Sequence, residues 1–466
     1  MRRTWLAVFL VVLAAGQLAV GMRASRTASV TGDEPFYLLT AQSLASDGDL
    51  DLRDEYRNNE ERKFWDGSVP LWRQMEPTDD GRLLSPHDPG LSLLILPAYA
   101  LGGLRGAQRF LVVLWAGAMA FAAVLARRAG APNWAAAVAG VVVGAGTPGV
   151  VYASQVYPEG PAALCVAIGL LLATAPPEKA RPHAFLLATA LVALAWLGVK
   201  YAPFAVLIAA TWAWRFRTER RALTIAAALT AVAALHFAWW HLHTFGGLTP
   251  YSTNVVYSGE GTASIVDQHV TFTGRGYRLY GLFIDARFGL IRWLPATLLA
   301  AWGLRRSTIL HGTVIGIGML MGTFVSITMM GWWFPGRMLI ATLPALVVLI
   351  AKGAQRLPKT AITLSAWSLA IAVALVVAAR TGEVRLAVDP WRVGIPLPPS
   401  SLFPDFRSFG IRQMLLSLAW AAALAGAVWW SRRGPGGWRV GDFEVDYLRS
   451  TAQSQSRGRD VSRTGK

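Results

Sequence analysis

Apolar and polar residues come in blocks along this chain rather than in alternation. Apolar stretches occupy residues 5–21, 90–104, 110–126, 134–152, 160–175, 184–199, 202–214, 223–240, 289–304, 309–330, 338–351, 361–379 and 414–430. Runs of this length predict helices that cross a bilayer. The first follows Arg2 and Arg3 and fits either a transmembrane helix or a secretory signal with its basic leader. Both alternatives place residues 22–88 outside.

Orientation follows from the Lys and Arg residues in the short connections, which cytoplasmic loops retain. Arg127 and Arg128, Lys179 and Arg181, the cluster Arg215 to Arg221, Arg305 and Arg306, Lys352 to Lys359, and Arg432 and Arg433 can all be cytoplasmic if 90–104 does not cross. That stretch contains Pro97, Gly102 and Gly103 and falls short of the roughly 20 residues a span needs, so a re-entrant or interfacial helix is expected. The predicted fold is all-α and polytopic, with twelve transmembrane helices and both termini cytoplasmic. Eleven to thirteen spans bound the count, and a thirteenth would strand Arg127 and Arg128 outside. Outside lie a first large loop carrying short helices, 22–88, a second, 245–288, and a third, 380–412. Residues 1–430 then form one transmembrane module, and 431–466 a disordered basic cytoplasmic tail.

Composition sharpens this picture. Of 466 residues, 54% are hydrophobic and 15% charged, against about 25% charged in soluble domains, which disfavours a soluble enzyme. A net charge of +17 could mean nucleic acid, but 20 Trp residues among apolar runs with basic flanks fit a plasma (inner) membrane protein better, and no nucleic-acid partner is expected. The single cysteine, Cys165, excludes a disulfide framework and a multi-cysteine zinc site. Fourteen of the 27 acidic residues fall within 22–88.

Unusual polar residues gather at the outer boundary. Asp33 and Glu34 follow the first span; adjacent carboxylates perturb each other's titration, so one can act as general base while the other orients it or holds a cation. An acidic helix N-terminus explains them equally well. His87, in Ser85-Pro86-His87-Asp88-Pro89-Gly90, can contact a phosphate or hydroxyl, or sit in a rigid interfacial turn. Glu159 opens an apolar run and needs a partner if buried; an exposed cap is the alternative. Lys200 interrupts another apolar stretch, as an anion ligand or a snorkelling residue. Asp285 and Arg287 in the second loop suit a structural pair or a substrate contact. Trp333 and Arg337, in Trp332-Trp333-Phe334-Pro335-Gly336-Arg337, offer a guanidinium for phosphate oxygens beside aromatic faces for sugar or isoprenoid, or an aromatic belt at the interface. The glycines at 312, 316, 318 and 322 suggest helix packing rather than chemistry.

This inventory suits an anionic lipid substrate. Nucleotide sugars are cytosolic, and the chain has no segment to hold one, so a lipid-phosphate donor meets both constraints. The ordered motifs, Gly32-Asp33-Glu34-Pro35-Phe36-Tyr37-Leu38, residues 85–90, Tyr157-Pro158-Glu159, Gly198-Val199-Lys200-Tyr201, residues 283–290 and Phe334-Pro335-Gly336-Arg337, resemble those of GT-C membrane glycosyltransferases. The resemblance is to the bacterial phospholipid-carrier-dependent branch, relatives of protein mannosyltransferases and lipid A aminoarabinose transferases. It implies an inverting transfer from a polyprenyl-phosphate sugar to an extracytoplasmic acceptor glycan, lipid or protein. Asp33 would be the base, Glu34 its assistant or a cation ligand, and Glu159 a second acid. His87, Lys200 and Arg337 would face the leaving phosphate, with Asp285, Arg287 and Trp333 as further substrate contacts. No cofactor is certain; a divalent cation, if present, would sit on Asp33 and Glu34. His87-Asp88-Pro89 stands where the aminoarabinose branch carries a Lys-Pro-Pro motif, so that phosphate contact does not transfer. A transporter or flippase of lipid-linked saccharides is the competing expectation, although no internal repeat supports it.

Overall fold

A computed structural model describes residues 2–26, 28–67, 70–75, 77–176, 180–250, 272–326, 329–408 and 410–433. The described residues form helices and loops, with one isolated antiparallel bridge between Asp51 and Leu84. The chain divides into two compact units, Met1–Ser417 and Leu418–Lys466. Of the second, only residues 418–433 are described, as the C-terminal part of a helix. The expected disordered tail and most of the second outer loop therefore lie outside the described residues, as do Glu76 and Lys179.

The helices of the first unit are α1 (Arg2–Ala19), α2 (Glu34–Ser46), α3 (Arg53–Arg57), α4 (Gly90–Arg128), α5 (Asn133–Ala145), α6 (Gly149–Tyr152), α7 (Glu159–Ala173), α8 (Ala180–Leu197), α9 (Ala202–Arg215) and α10 (Arg220–Phe245). They continue with α11 (Arg278–Ile284), α12 (Leu290–Trp293), α13 (Ala300–Gly303), α14 (Ile309–Leu320), α15 (Leu343–Arg356) and α16 (Pro358–Thr381); α17 (Ile411–Arg433) runs on into the second unit. Six helical segments among the described residues are long and apolar enough to cross a membrane, and 4–19, 133–145, 159–173 and 183–197 are shorter apolar helices. The structure thus shows fewer full-length spans than the twelve expected.

The differences lie where backbone breaks interrupt apolar runs. Residues 289–304, expected as one span, fold as α12, a 3-10 turn over Pro295–Leu299, and α13. Pro295 has no N–H to continue the preceding turn, and Leu294 is non-helical at φ −133°. The run 134–152 is likewise divided at Gly146-Thr147-Pro148 into α5 and α6. The run 309–330 leaves helical geometry after a π turn over Met321–Val325.

Gly102 and Gly103 take non-helical angles and split α4. Residues 90–101 give about 18 Å of helix, too little for a bilayer, whereas 104–128 reach about 37 Å. The two parts fold closely together: a Cβ on Gly106 would stand 2.1 Å from the Ala98 carbonyl oxygen. The short part serves as a platform for α2. Ser92 Oγ donates to the Tyr37 carbonyl at 2.8 Å, and Tyr99 Oη donates to Gln42 Oε1 at 3.0 Å. That anchoring buries α2 from Glu34 to Ser43, including Phe36, Leu38 and Leu39.

Helix α15 is buried along most of its length and packs on α4, α5 and α13, so it forms the centre of the first unit. Helix α10, equally apolar, leaves Val232, Leu235 and Trp239 exposed. An apolar helix with an exposed apolar flank is suited to lipid contact. At the expected glycine face, Gly318 and Gly322 meet Thr342, Leu282 and Met338 closely, whereas Gly316 faces open space.

Candidate functional site

Four charged side chains, expected separately, meet at four helix ends. Asp33 is the N-cap of α2, and Glu159 is the first residue of α7 after Pro158. Lys200 lies in the 3-10 turn Val199–Tyr201 between α8 and α9, and Arg337 opens the 3-10 turn Arg337–Thr342 before α15. Helix ends leave backbone groups unpaired and turn side chains away from the helix barrel, so charges can converge there without crossing an apolar face. Gly336 makes the last of these turns possible: its φ of 85° lies in the left-handed region, and a Cβ would stand 2.9 Å from Pro148 Cγ.

Arg337 is the bridge. Its Nη2 donates to Asp33 Oδ2 at 2.6 Å and its Nε to Glu159 Oε1 at 3.1 Å. Lys200 Nζ donates to the same Glu159 oxygen at 2.9 Å. Two negative and two positive charges therefore balance, as charges at an apolar boundary require. They are not equally accessible. The Glu159 and Arg337 side chains are 4% and 5% exposed, against 26% for Asp33 and 39% for Lys200. Glu159 is thus the buried keystone, while Asp33 and Lys200 form the open edge. Among the described residues Glu159 Oε2, Tyr201 Oη and Trp333 Nε1 are buried with no hydrogen-bond partner, so polar capacity remains beside the network.

Asp33 does not cap its own helix through its side chain; its carboxylate turns to Arg337 instead. Burial alone would raise its pKa, but the Arg337 guanidinium, with lesser help from Lys200, holds it down at about 2. Asp33 is therefore ionised throughout the physiological range.

Glu34 differs from the expected role. Its Oε1 accepts from the Val156 N–H at 2.9 Å and its Oε2 from the Thr31 N–H at 3.1 Å. Both oxygens accept from backbone N–H groups, so Glu34 joins the start of α2 to the turn before α7. Tyr157 Oη reinforces the junction by donating to the Thr31 carbonyl at 2.9 Å. Burial pushes the Glu34 carboxyl up to about 7, opposed by the two backbone donors. An acid with a raised folded-state pKa stabilises the fold below its unfolded value and loses that contribution as pH rises through the folded one. Thermal denaturation should show wild-type stability falling by roughly 3 kcal/mol between pH 4.5 and 8 from this group alone. Glu34→Gln should flatten that slope; an unchanged slope in the variant would contradict the assignment.

His87 is not a second cation. Burial lowers its pKa below the usual 6.5, against the pull of Asp33, and Nε2 lies 2.8 Å from Gln74 Oε1 while the ring packs on Tyr37 at 5.0 Å. A neutral imidazole donating to Gln74 braces α2 instead of meeting phosphate as a charge.

The three aromatics before Arg337 have separate roles. Trp332 is 60% exposed, as an interfacial aromatic would be. The Arg337 guanidinium lies 4.9 Å from the Trp333 ring, and Phe334 is buried against Trp293 and Tyr152. Asp285 and Arg287 join neither the network nor each other through their side chains. Asp285 Oδ1 accepts from the Arg287 and Phe288 N–H groups and Oδ2 from the Phe406 N–H, while Arg287 stacks over Trp391 at 4.5 Å. The expected structural pair is a carboxylate-stapled turn.

Tyr157 was missed as a site residue. The Arg337 guanidinium lies 4.0 Å from its ring, a nearer contact than Trp333. Its place two residues before Glu159 was the available signal.

No family model matches the chain, and no curated protein matches it. A solved structure to which it is similar is the apo crystal structure of ArnT from Cupriavidus metallidurans, at 14% identity, covering 91% of this chain and 77% of that one, with a TM-score of 0.46. Similarity at that level transfers no residue roles.

Proposed function

We propose that the chain is a membrane-embedded inverting glycosyltransferase that moves a sugar from a polyprenyl-phosphate carrier to an acceptor hydroxyl outside the cytoplasm. The observation that carries this reading is the Asp33–Arg337–Glu159–Lys200 network, with an accessible carboxylate beside two cations where apolar helices end. The motif order around these residues, which resembles the GT-C pattern, supports it.

In this reading the acceptor hydroxyl gives its proton to Asp33 as its oxygen forms a bond to the anomeric carbon. The carbon–oxygen bond to the carrier phosphate breaks on the opposite face, and the configuration inverts. Arg337 and Lys200 stabilise the charge left on the phosphate. A carboxylate with a pKa of about 2 is a weak base, and phosphate binding corrects this. As the donor phosphate draws on the guanidinium, Asp33 loses part of its counter-charge and gains proton affinity. Arg337 thereby couples donor binding to activation of the base, and Glu159 holds it in place as a positioning residue.

Transfer from radiolabelled polyprenyl-phosphate sugars in proteoliposomes tests the proposal. Label appearing on an acceptor, with free polyprenyl phosphate released, supports it. Movement of intact lipid-linked saccharide between leaflets without bond cleavage would favour a flippase.

Orientation is tested in a Cys165→Ala background. A membrane-impermeant thiol reagent added outside should label a cysteine at exposed Asn58 and spare one at exposed Ser307. The reverse pattern would move the site to the cytoplasmic face.

A further inference from the structure

Each cation of the network lies over an aromatic ring that carries an unused hydrogen-bond donor. Lys200 Nζ is 5.1 Å from the centre of the Tyr201 ring, and the Arg337 guanidinium is 4.9 Å from that of Trp333. Among the described residues neither Tyr201 Oη nor Trp333 Nε1 has a hydrogen-bond partner, and both atoms are buried. Tyr201 is 3% exposed and closes the 3-10 turn that holds Lys200. Its ring packs on Gly198, where a Cβ would stand 3.4 Å from Tyr201 Cε2. Glu159, Arg337 and Asp88 act electrostatically on its hydroxyl, which places that group beside the network.

Neighbouring rings set the contrast. Tyr157, under the same Arg337 guanidinium, donates its hydroxyl to the Thr31 carbonyl, and Tyr152 beside it donates to the Phe334 carbonyl. Trp293 Nε1 donates to the Arg287 carbonyl. Buried hydroxyl and indole N–H groups are ordinarily paired in this way, and one left unpaired is costly until a ligand or water meets it.

Charge balance points to the ligand. Asp33 and Glu159 already answer Arg337 and Lys200, so the four side chains are neutral before any anion enters. A carrier phosphate brings at least one further negative charge, and another develops as its bond to the sugar breaks. His87, held toward its neutral form, supplies no third cation. Neutral O–H and N–H donors can take up the added charge without unbalancing the resting site.

We infer that the Tyr201 hydroxyl is a direct phosphate contact, donating a hydrogen bond to an oxygen of the lipid carrier's phosphate next to Lys200. The inference rests on the donor proposed above and adds to it a binding group that carries no charge. The hydrogen stays on Oη, and the contact strengthens as the departing phosphate gains charge. Trp333 Nε1 offers the same kind of contact on the Arg337 side.

The test uses the full-length protein in detergent and compares equilibrium binding of a polyprenyl phosphate with that of the matching polyprenol, in wild type and in Tyr201→Phe. The variant should bind the phosphate about tenfold more weakly, the order expected for a hydrogen bond to a charged group, and the polyprenol equally well. Without ligand it should melt at or above the wild-type temperature, because the hydroxyl has no protein partner to lose. In transfer from a polyprenyl-phosphate sugar, turnover should fall by more than donor affinity. The inference is overturned if wild type does not prefer the phosphate to the polyprenol, or if Tyr201→Phe binds the phosphate as tightly as wild type. Equal losses of phosphate and polyprenol affinity, or melting below wild type, would also overturn it by making the hydroxyl a packing group. Tyr201-dependent phosphate binding by a wild type that transfers no sugar would uphold this contact and sink the glycosyltransferase reading instead.

Discussion

Replacing Asp33 with Asn is expected to abolish sugar transfer while leaving the protein folded. The substitution keeps the shape and a hydrogen-bond acceptor for Arg337 Nη2, but it removes the only accessible carboxylate of the network. General-base assistance contributes typically 10²- to 10⁴-fold, so the transfer rate should fall by about three orders of magnitude while carrier-phosphate binding is retained. Binding should even tighten, because Arg337 is released from one of its two carboxylates. The informative measurement is therefore a pair: single-turnover transfer, and equilibrium binding of polyprenyl phosphate. Near wild-type turnover would eliminate Asp33 as the base; loss of binding together with turnover would make it a structural anchor.

Arg337 should show the largest combined effect. Among the described residues, removing the guanidinium in Arg337→Met leaves Glu159, 4% exposed, with Lys200 as its only counter-charge, and leaves Asp33 with none in contact. Deleting one partner of a buried ion pair costs about 3–5 kcal/mol, and the remaining lysine should keep the loss near the lower end. Activity should vanish, since both phosphate stabilisation and control of Asp33 are lost. Pairing Arg337→Met with Glu159→Gln separates the two effects: chemical denaturation should recover most of the stability, while transfer stays absent. A double variant as unstable as the single one would show that Arg337 stabilises through Tyr157 and Trp333 packing rather than through charge. Arg337→Lys retains the charge but cannot span both carboxylates with separate nitrogens, so it should remain folded with markedly slower transfer.

Asp33, Glu159, Lys200 and Arg337 were all conspicuous in one dimension because a charge at the edge of an apolar run is expensive and must have a reason. Their neighbours were harder to sort. Asp33 and Glu34 are adjacent and chemically alike, yet one helical step turns the first toward Arg337 and the second toward the backbone of Thr31 and Val156. His87 can titrate near neutrality where it is solvated, and burial beside α2 and Gln74 moves its pKa down, toward the neutral form. Asp285 and Arg287 suggest an ion pair from their spacing, but the turn supplies the carboxylate with three backbone donors and leaves the guanidinium to Trp391.

By itself the sequence determined the helical, lipid-compatible character of the chain, the break ahead of residue 104, and the concentration of acids after the first apolar run. Those properties depend on composition within a window of about 20 residues, the length at which a bilayer tests a helix. Only the tertiary structure decided which apolar runs remain whole, because Pro295 and the turn at 146–148 interrupt them through backbone geometry that hydropathy does not register. It alone decided, too, that residues 33, 159, 200 and 337 form one network. Partners brought together across hundreds of residues are set by helix packing, and burial then assigns each carboxylate its partner and its charge.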